Sequence, residues 1–240
     1  MNEFEFDVAD PKNWITGRFF ENEFLDRPSV SNLNEWIDGR EWEDGVKSLD
    51  VGSVDAHQFK MNEVLVDPVP SYLFWSHLDN NNAFSEFTQP KESKSLFCSK
   101  TSVGGYYKPH FDHYTLGHFS TTVFLNDPDE YDGGELVLWI DGKEKFFKPK
   151  AGYGVTYETR IGHRVNTVTR GERVALVFWT TSRWADVDLL RKWKYYNYMT
   201  KYTHDNNAYD SLNEYCNTAY VNIRTKREDI YRKTFELDGL

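Results

Sequence analysis

Cysteine is scarce in this sequence, long apolar runs are missing, and positive charge is never concentrated. Each shortage removes a class of protein. Two cysteines in 240 residues, Cys98 and Cys216, cannot form the framework of a disulfide-stapled secreted domain. No stretch approaches the ~18 uninterrupted apolar residues of a membrane-crossing helix. The opening Met1-Asn2-Glu3-Phe4-Glu5-Phe6-Asp7 has neither the basic segment nor the apolar core of an export signal. A soluble chain in a reducing, cytoplasmic setting is expected, with no membrane partner. Lys and Arg number 28 against 38 Asp and Glu, a net charge of -10, and no Lys/Arg-rich run offers a track for phosphates. Nucleic acid is therefore not an expected partner.

What the sequence does have is hydrophobic residues (39%) and aromatics (17%), enough to bury one sizeable core. Three segments are expected within one compact domain: residues 1–94 as a mixed α/β region, 95–182 as a β-rich core, and 183–240 as a helical extension. In the first segment, Asp10-Pro11, Arg27-Pro28, Asp38-Gly39 and Asp44-Gly45 read as turns. A short capped helix is expected over Ser31–Ile37 and another around Tyr72, Leu73, Trp75 and Leu78, ended by Asp79-Asn80-Asn81-Asn82. From residue 95, eight runs read as strands: 95–98, 106–111, 120–125, 135–140, 144–148, 155–158, 163–167 and 173–180. Turn residues separate them, Asp141-Gly142 marking the clearest hairpin. Eight such strands suit a double-sheet jelly roll, so the fold class is mainly β with flanking helices. After Ser182, Val187, Leu190, Trp193 and Lys194 are helically spaced.

The chemistry concentrates in His110-Phe111-Asp112, in His163 fifty-one residues after Asp112, and in Arg173 ten residues after His163. In a strand, His110 and Asp112 share a face and can bind one ion together, while His163 arrives from a distant strand. Two imidazoles and a carboxylate on one side of a metal leave the opposite positions open, the ligand set of a non-haem Fe(II) centre that activates O2. Catalytic zinc accepts the same set. Arg173 weighs against zinc, because a guanidinium pointing into the same cavity holds a carboxylate through two parallel hydrogen bonds. An open iron beside a carboxylate clamp suits a keto-dicarboxylic acid such as 2-oxoglutarate.

These residues resemble the prolyl-4-hydroxylase-like Fe(II)/2-oxoglutarate dioxygenases, and within them the bacterial PKHD-type hydroxylases. The similarity rests on His110-Phe111-Asp112, the segment from Phe124 to Leu136 with Asp132-Gly133-Gly134-Glu135, Lys148-Pro149-Lys150-Ala151-Gly152, the segment His163 to Ala175, and Phe178-Trp179-Thr180-Thr181-Ser182. A fainter echo lies upstream in Trp42-Glu43-Asp44-Gly45 and Lys60-Met61-Asn62. The resemblance implies a double-stranded β-helix, iron held by His110, Asp112 and His163, 2-oxoglutarate held by Arg173, O2 as cosubstrate and L-ascorbate as a reductant. It further implies a prolyl or lysyl side chain of a peptide or protein as substrate, with free amino acids and other small molecules open. Many relatives place a cosubstrate-binding tyrosine nine residues before the first histidine; Thr101 stands there, and Tyr106 or Tyr107 can substitute. Tyr157 either faces the cavity or fills the core.

Of the neighbours, Ser120 and Thr122 alternate on one face from which the cavity is within reach, though neither is singled out as a site residue, and Trp139 and Trp179 read as core aromatics. His113 and His118 read as loop or rim residues. Rival readings are a nucleic-acid demethylating oxygenase, which the acidic balance disfavours, and a non-catalytic module assembling through Tyr195, Tyr196, Tyr198 and Tyr202. The intact triad argues against the module.

Overall fold

A computed structural model describes residues 17–48, 56–205, 222 and 225–230. They fall into two units, one spanning Phe19–Ser182 and the other holding the residues from Arg183 onward together with those before Phe19. Asp10-Pro11 and Cys216 lie outside the described residues. Among the described residues no helix is long and apolar enough to cross a membrane.

The first unit is a jelly roll of antiparallel strands. One sheet has seven: β1 (Phe19–Glu23), β2 (Trp42–Asp44), β4 (Glu63–Leu65), β5 (Pro90–Thr101), β7 (Phe119–Phe124), β11 (Tyr153–Glu158) and β14 (Arg173–Ser182), in the order β1-β11-β7-β14-β5-β4-β2. The facing sheet has five, β3 (Lys60–Met61), β6 (Tyr106–His110), β9 (Leu136–Ile140), β10 (Lys143–Phe147) and β12 (His163–Val165), in the order β10-β9-β12-β6-β3. Two further short strands, β8 (Asp132–Gly133) and β13 (Val168–Arg170), pair with each other.

Strand periodicity gives the larger sheet two working faces. Along β14, Arg173, Val177 and Trp179 line a cavity between the sheets. Phe178, on the other face, packs among Phe24, Phe74, Trp75 and Phe84. Between the sheets beside the cavity lies a core of Phe124, Leu136, Leu138, Ile140, Phe147, Val155, Tyr157 and Ile161. Strand β7 is buried along its whole length, and its buried Ser120 and Thr121 hydroxyls are hydrogen-bonded.

Every expected strand is present, with shifts that have physical causes. The 95–98 run extends to Pro90–Thr101 because β14 pairs with it throughout, interrupted by a bulge where Ser95 takes φ 60°. The expected 163–167 strand ends early, at Val165, and a separate strand that was not expected, Val168–Arg170, pairs with Asp132–Gly133. That close approach needs glycine, since a Cβ on Gly133 (φ 71°) would sit 2.0 Å from the Thr167 carbonyl oxygen. Asp141 and Gly142, both at positive φ, form the tight hairpin between β9 and β10.

The helices start earlier than the apolar pattern suggests. α1 (Arg27–Ile37) begins at Asp26, whose carboxylate accepts from the Ser29 amide, rather than at Ser31. Arg27-Pro28 is thus a first helical turn, where the missing proline N–H has no intrahelical partner to lose. α2 (Ser71–Asp79) ends at the asparagine run as expected. The same run also opens α3 (Asn82–Thr88), Asn81 Oδ1 accepting from the Phe84 amide.

In the second unit α4 (Val187–Asp205) starts at Asp186, whose side chain accepts from the Asp188 and Leu189 amides. The rings of Tyr195 and Tyr196 meet at 5.3 Å. The side chains of Tyr198 and Tyr202 lie outside the described residues.

Candidate metal centre and anion anchor

His110 and His163 meet because β6 and β12 are hydrogen-bonded neighbours with these two residues in register, which brings their ring centroids to 4.1 Å. Asp112 does not share a strand with His110, contrary to the sequence expectation. β6 ends at His110, and Asp112 lies just beyond it, before a turn of 3-10 helix at Tyr114–Leu116. The carboxylate still converges on the histidines, with Oδ1 3.7 Å from His110 Nε2 and 3.6 Å from His163 Nε2. One ligating atom from each residue falls within 4.8 Å of the others.

What surrounds the three side chains sets which atoms face inward. Both histidines direct Nδ1 at the carbonyl two residues earlier, Lys108 at 2.8 Å and Ile161 at 3.0 Å. A neutral imidazole donating from Nδ1 leaves a lone pair on Nε2, the tautomer a metal requires. Burial, reinforced by the neighbouring His163, also holds the His110 imidazolium well below the usual histidine range, favouring the neutral ring. Oδ2 of Asp112 accepts from the Ser120 hydroxyl (2.6 Å) and the Trp179 indole N–H (2.9 Å), which leaves Oδ1 toward the histidines. The reading of Trp179 as only a core aromatic is therefore corrected. Ser120 and Thr122 both face inward, Ser120 to the carboxylate and Thr122 to the cavity wall.

The cavity measures about 620 Å³ and is lined by the three side chains, Thr101, Tyr107, Tyr157 and Arg173. Arg173 is 3% exposed and pairs across the β14–β5 ladder with Thr101. Its guanidinium stands 4.8 Å over the Phe124 ring, and its Nε has no hydrogen-bond partner. The buried Tyr131 hydroxyl, close enough to feel the Arg173 charge, is also without one. Buried donors are rarely left so, and these two await an acceptor. Burial lowers the Arg173 pKa, and a carboxylate would oppose that shift.

Tyr107 stacks on His110 with centroids 3.6 Å apart, and Tyr157 meets His163 edge-on at 5.0 Å while belonging to the core. Tyr157 thus both faces the cavity and fills the core. His113 lies at the cavity mouth, where its ring nitrogen accepts from the Thr115 amide; His118 accepts from the Ser182 amide. Lys60, a buried cavity residue on β3, had no spacing signal to single it out.

The donor set and the anchor fit Fe(II) with a keto-dicarboxylic acid. The ligating atoms are two imidazole nitrogens and one carboxylate oxygen, and the Arg173 guanidinium, its Nε unsatisfied, stands in the same cavity. Zinc alone would leave Arg173 without a purpose.

Comparison with known proteins agrees with this chemistry. Residues 96–181 match the 2OG-Fe(II) oxygenase superfamily. The PKHD-type hydroxylase tll1907 of Thermosynechococcus vestitus is 33% identical over 171 residues, covering 66% of this chain and 75% of that protein. A Pseudomonas putida prolyl-4-hydroxylase crystal structure superposes with a TM-score of 0.54 at 19% identity, covering 69% of this chain and 92% of the other. A Trichoplax adhaerens prolyl hydroxylase, solved in complex with a hypoxia inducible factor oxygen degradation domain peptide fragment, gives 0.53 at 14%, covering 69% and 84%.

Proposed function

Because this chain belongs to the 2OG-Fe(II) oxygenase superfamily, among the PKHD-type hydroxylases, we propose that it hydroxylates a prolyl or lysyl side chain of a peptide or protein. His110, Asp112 and His163 hold the iron, and Arg173 anchors 2-oxoglutarate. The observation that carries this reading is the meeting, in one cavity, of a His–Asp–His cluster and a buried guanidinium whose Nε has no hydrogen-bond partner. Fe(II), 2-oxoglutarate and O2 together supply the oxidative chemistry that turns an unactivated C–H bond into C–OH, with release of succinate and CO2.

The protein's own share is positioning and exclusion of water. The Lys108 and Ile161 carbonyls hold the two imidazoles with Nε2 inward. Ser120 and Trp179 hold Asp112 to one inward oxygen, so that a single carboxylate oxygen ligates. Arg173 takes the far carboxylate, the Tyr131 hydroxyl lies within reach of its charge, and Thr101, Tyr107 and Tyr157 border the same space. L-Ascorbate is expected to sustain turnover as a reductant. The prolyl or lysyl assignment draws on the relatives' hydroxylase names and on the peptide bound by the Trichoplax adhaerens enzyme.

Incubation of the protein with Fe(II), 2-oxoglutarate and a cell lysate, followed by mass spectrometry, should find proline or lysine residues that gain one oxygen only when 2-oxoglutarate is present. Oxygen gain confined to free metabolites would refute the peptide substrate. Arg173→Leu should raise the 2-oxoglutarate concentration needed for turnover, iron affinity staying as it was; equal 2-oxoglutarate dependence would remove the anchor. Trp179→Phe keeps an aromatic ring against Phe97 but deletes the donor to Asp112. Its iron affinity or turnover should fall ~10–100-fold, as for other supports of a metal ligand. Titration with Fe(II) under anaerobic conditions measures the first, and an unchanged affinity and rate would mean that the indole contact does not position the carboxylate.

A further inference from the structure

Tyr131 stands just ahead of β8, fully enclosed, and among the described residues its hydroxyl is the one enclosed hydroxyl without a hydrogen-bond partner. The chain brings it against Arg173 at two points. A Cβ on Gly171, two residues before Arg173, would lie 2.3 Å from the Glu130 carbonyl oxygen and 3.1 Å from Tyr131 Cα, so the turn into β14 is laid directly on the tyrosine backbone. A Cβ on Gly134 would meet Tyr131 Cε2 at 3.0 Å and Arg173 Cδ at 3.2 Å. The ring edge next to the phenol oxygen and the arginine stem therefore close on one point. Lys148 fixes the tyrosine further, its Nζ donating to the Tyr131 carbonyl at 2.7 Å and standing 4.2 Å from the ring centre. All of these contacts would survive with phenylalanine at 131, so the oxygen itself calls for a purpose. Enclosing a hydroxyl without a partner costs free energy that phenylalanine would not incur.

Arg173 Nε lacks a partner too, and Arg173 borders the cavity that holds the His–Asp–His cluster. Two donors side by side, one charged and one neutral, suit an acceptor with two oxygens, and a carboxylate can serve both. Burial pushes the Tyr131 phenol up to about 12 while the Arg173 charge draws it down, so at neutral pH it keeps the proton it would donate. Of the hydroxyls that the sequence suggests for cosubstrate binding, Tyr106 donates to the His57 carbonyl at 3.1 Å. Thr101 has its methyl group toward Gly105, where a Cβ would come within 2.8 Å of it. We infer that Tyr131 is a second cosubstrate-binding residue, its hydroxyl donating to the far carboxylate that Arg173 anchors. The inference rests on the oxygenase reading and adds to it a residue that no spacing from His110 marks.

The test uses the full chain with Fe(II), without O2, and two keto acids titrated through the visible absorbance band that a keto acid gives on ferrous iron. One is 2-oxoglutarate; the other, 2-oxopentanoate, has the same keto-acid end but a methyl group in place of the far carboxylate. Tyr131→Phe should weaken 2-oxoglutarate binding about ten- to hundredfold, the range for a hydrogen bond to a charged group, and leave 2-oxopentanoate binding as it was. Without keto acid the variant should melt at or above the temperature of the unaltered protein, because it deletes a hydroxyl that the fold leaves unpaired. Added 2-oxoglutarate should then raise its melting temperature by less. A Tyr131→Phe protein that binds 2-oxoglutarate as tightly as the unaltered one overturns the inference and leaves the hydroxyl to a water molecule. Equal weakening of both keto acids overturns it as well. So does a variant that melts several degrees lower without keto acid, or fails to fold, since the hydroxyl would then serve the fold. Where 2-oxopentanoate binds too weakly to titrate, the melting temperature without keto acid decides between ligand and support. An unaltered protein that does not bind 2-oxoglutarate in the presence of Fe(II) overturns the oxygenase reading too, and that control separates the two failures.

Discussion

Replacing Asp112 with asparagine is expected to end turnover and iron binding while leaving the fold in place. The amide is isosteric, and its oxygen can still accept from the Ser120 hydroxyl and the Trp179 indole, which lie 2.6 and 2.9 Å from Oδ2. Lost are the negative charge and the inward oxygen that faces both Nε2 atoms. Asp112→Ala is a harsher change. It removes the ligand and also strips two enclosed donors of their acceptor, at ~1–3 kcal/mol for each group left unsatisfied. Because disturbing a mere support of a metal ligand costs ~10–100-fold, deleting the ligand itself should exceed the effect of Trp179→Phe. Fe(II) titration and CO2 release from 2-oxoglutarate measure the two consequences. An Asp112→Asn protein that released CO2 at the parent rate would falsify the metal assignment.

Phe178→Ala is expected to cost ~3–5 kcal/mol of stability, the range for truncating a buried aromatic. Phe178 is fully enclosed, and its ring centroid lies 5.2 Å from that of Phe74, 5.6 Å from Trp75, 5.9 Å from Phe84 and 6.4 Å from Phe24. These contacts join β14 to the residue that follows β1 and to α2 and α3. The cavity left behind cannot close by a small movement, because four rings, two from α2, one from α3 and one from the segment after β1, frame it. Against a total stability of ~5–15 kcal/mol, the loss is large enough to leave a substantial unfolded fraction on mild warming. The next residue, Trp179, faces the cavity, so damage at 178 reaches the metal centre only through the strand. Urea unfolding at constant slope reads the change, and a loss under ~1 kcal/mol would mean that the cluster repacks.

Much of the fold was legible because strands and their turns are written locally. Alternation and turn residues located eight of the strands between residues 95 and 182 but not the short β8 and β13, and Asp141-Gly142 marked its hairpin because positive φ at both positions favours such residues. Parity placed Arg173 on the cavity face, and the family resemblance pointed to Thr101, which borders the same cavity. Helix starts were less legible. Asp26 caps α1 ahead of a proline that reads as a turn, and one asparagine run both closes a helix and opens the next.

The sequence alone determined the chemical identity of the site: two imidazoles, a carboxylate and a permanent cation at spacings that strands can bring together, in a chain with net negative charge. Side-chain chemistry does not depend on where the chain later goes. Only the tertiary structure decided that Asp112 leaves the strand, that Ser120 and Trp179 turn it, and that Lys60 and Arg173 border one cavity from opposite sheets. Those relations join residues as much as 113 positions apart, Lys60 to Arg173. Periodicity fixes which way a side chain leans from its own backbone, but which distant strand lies opposite is set by sheet pairing and packing across the whole core.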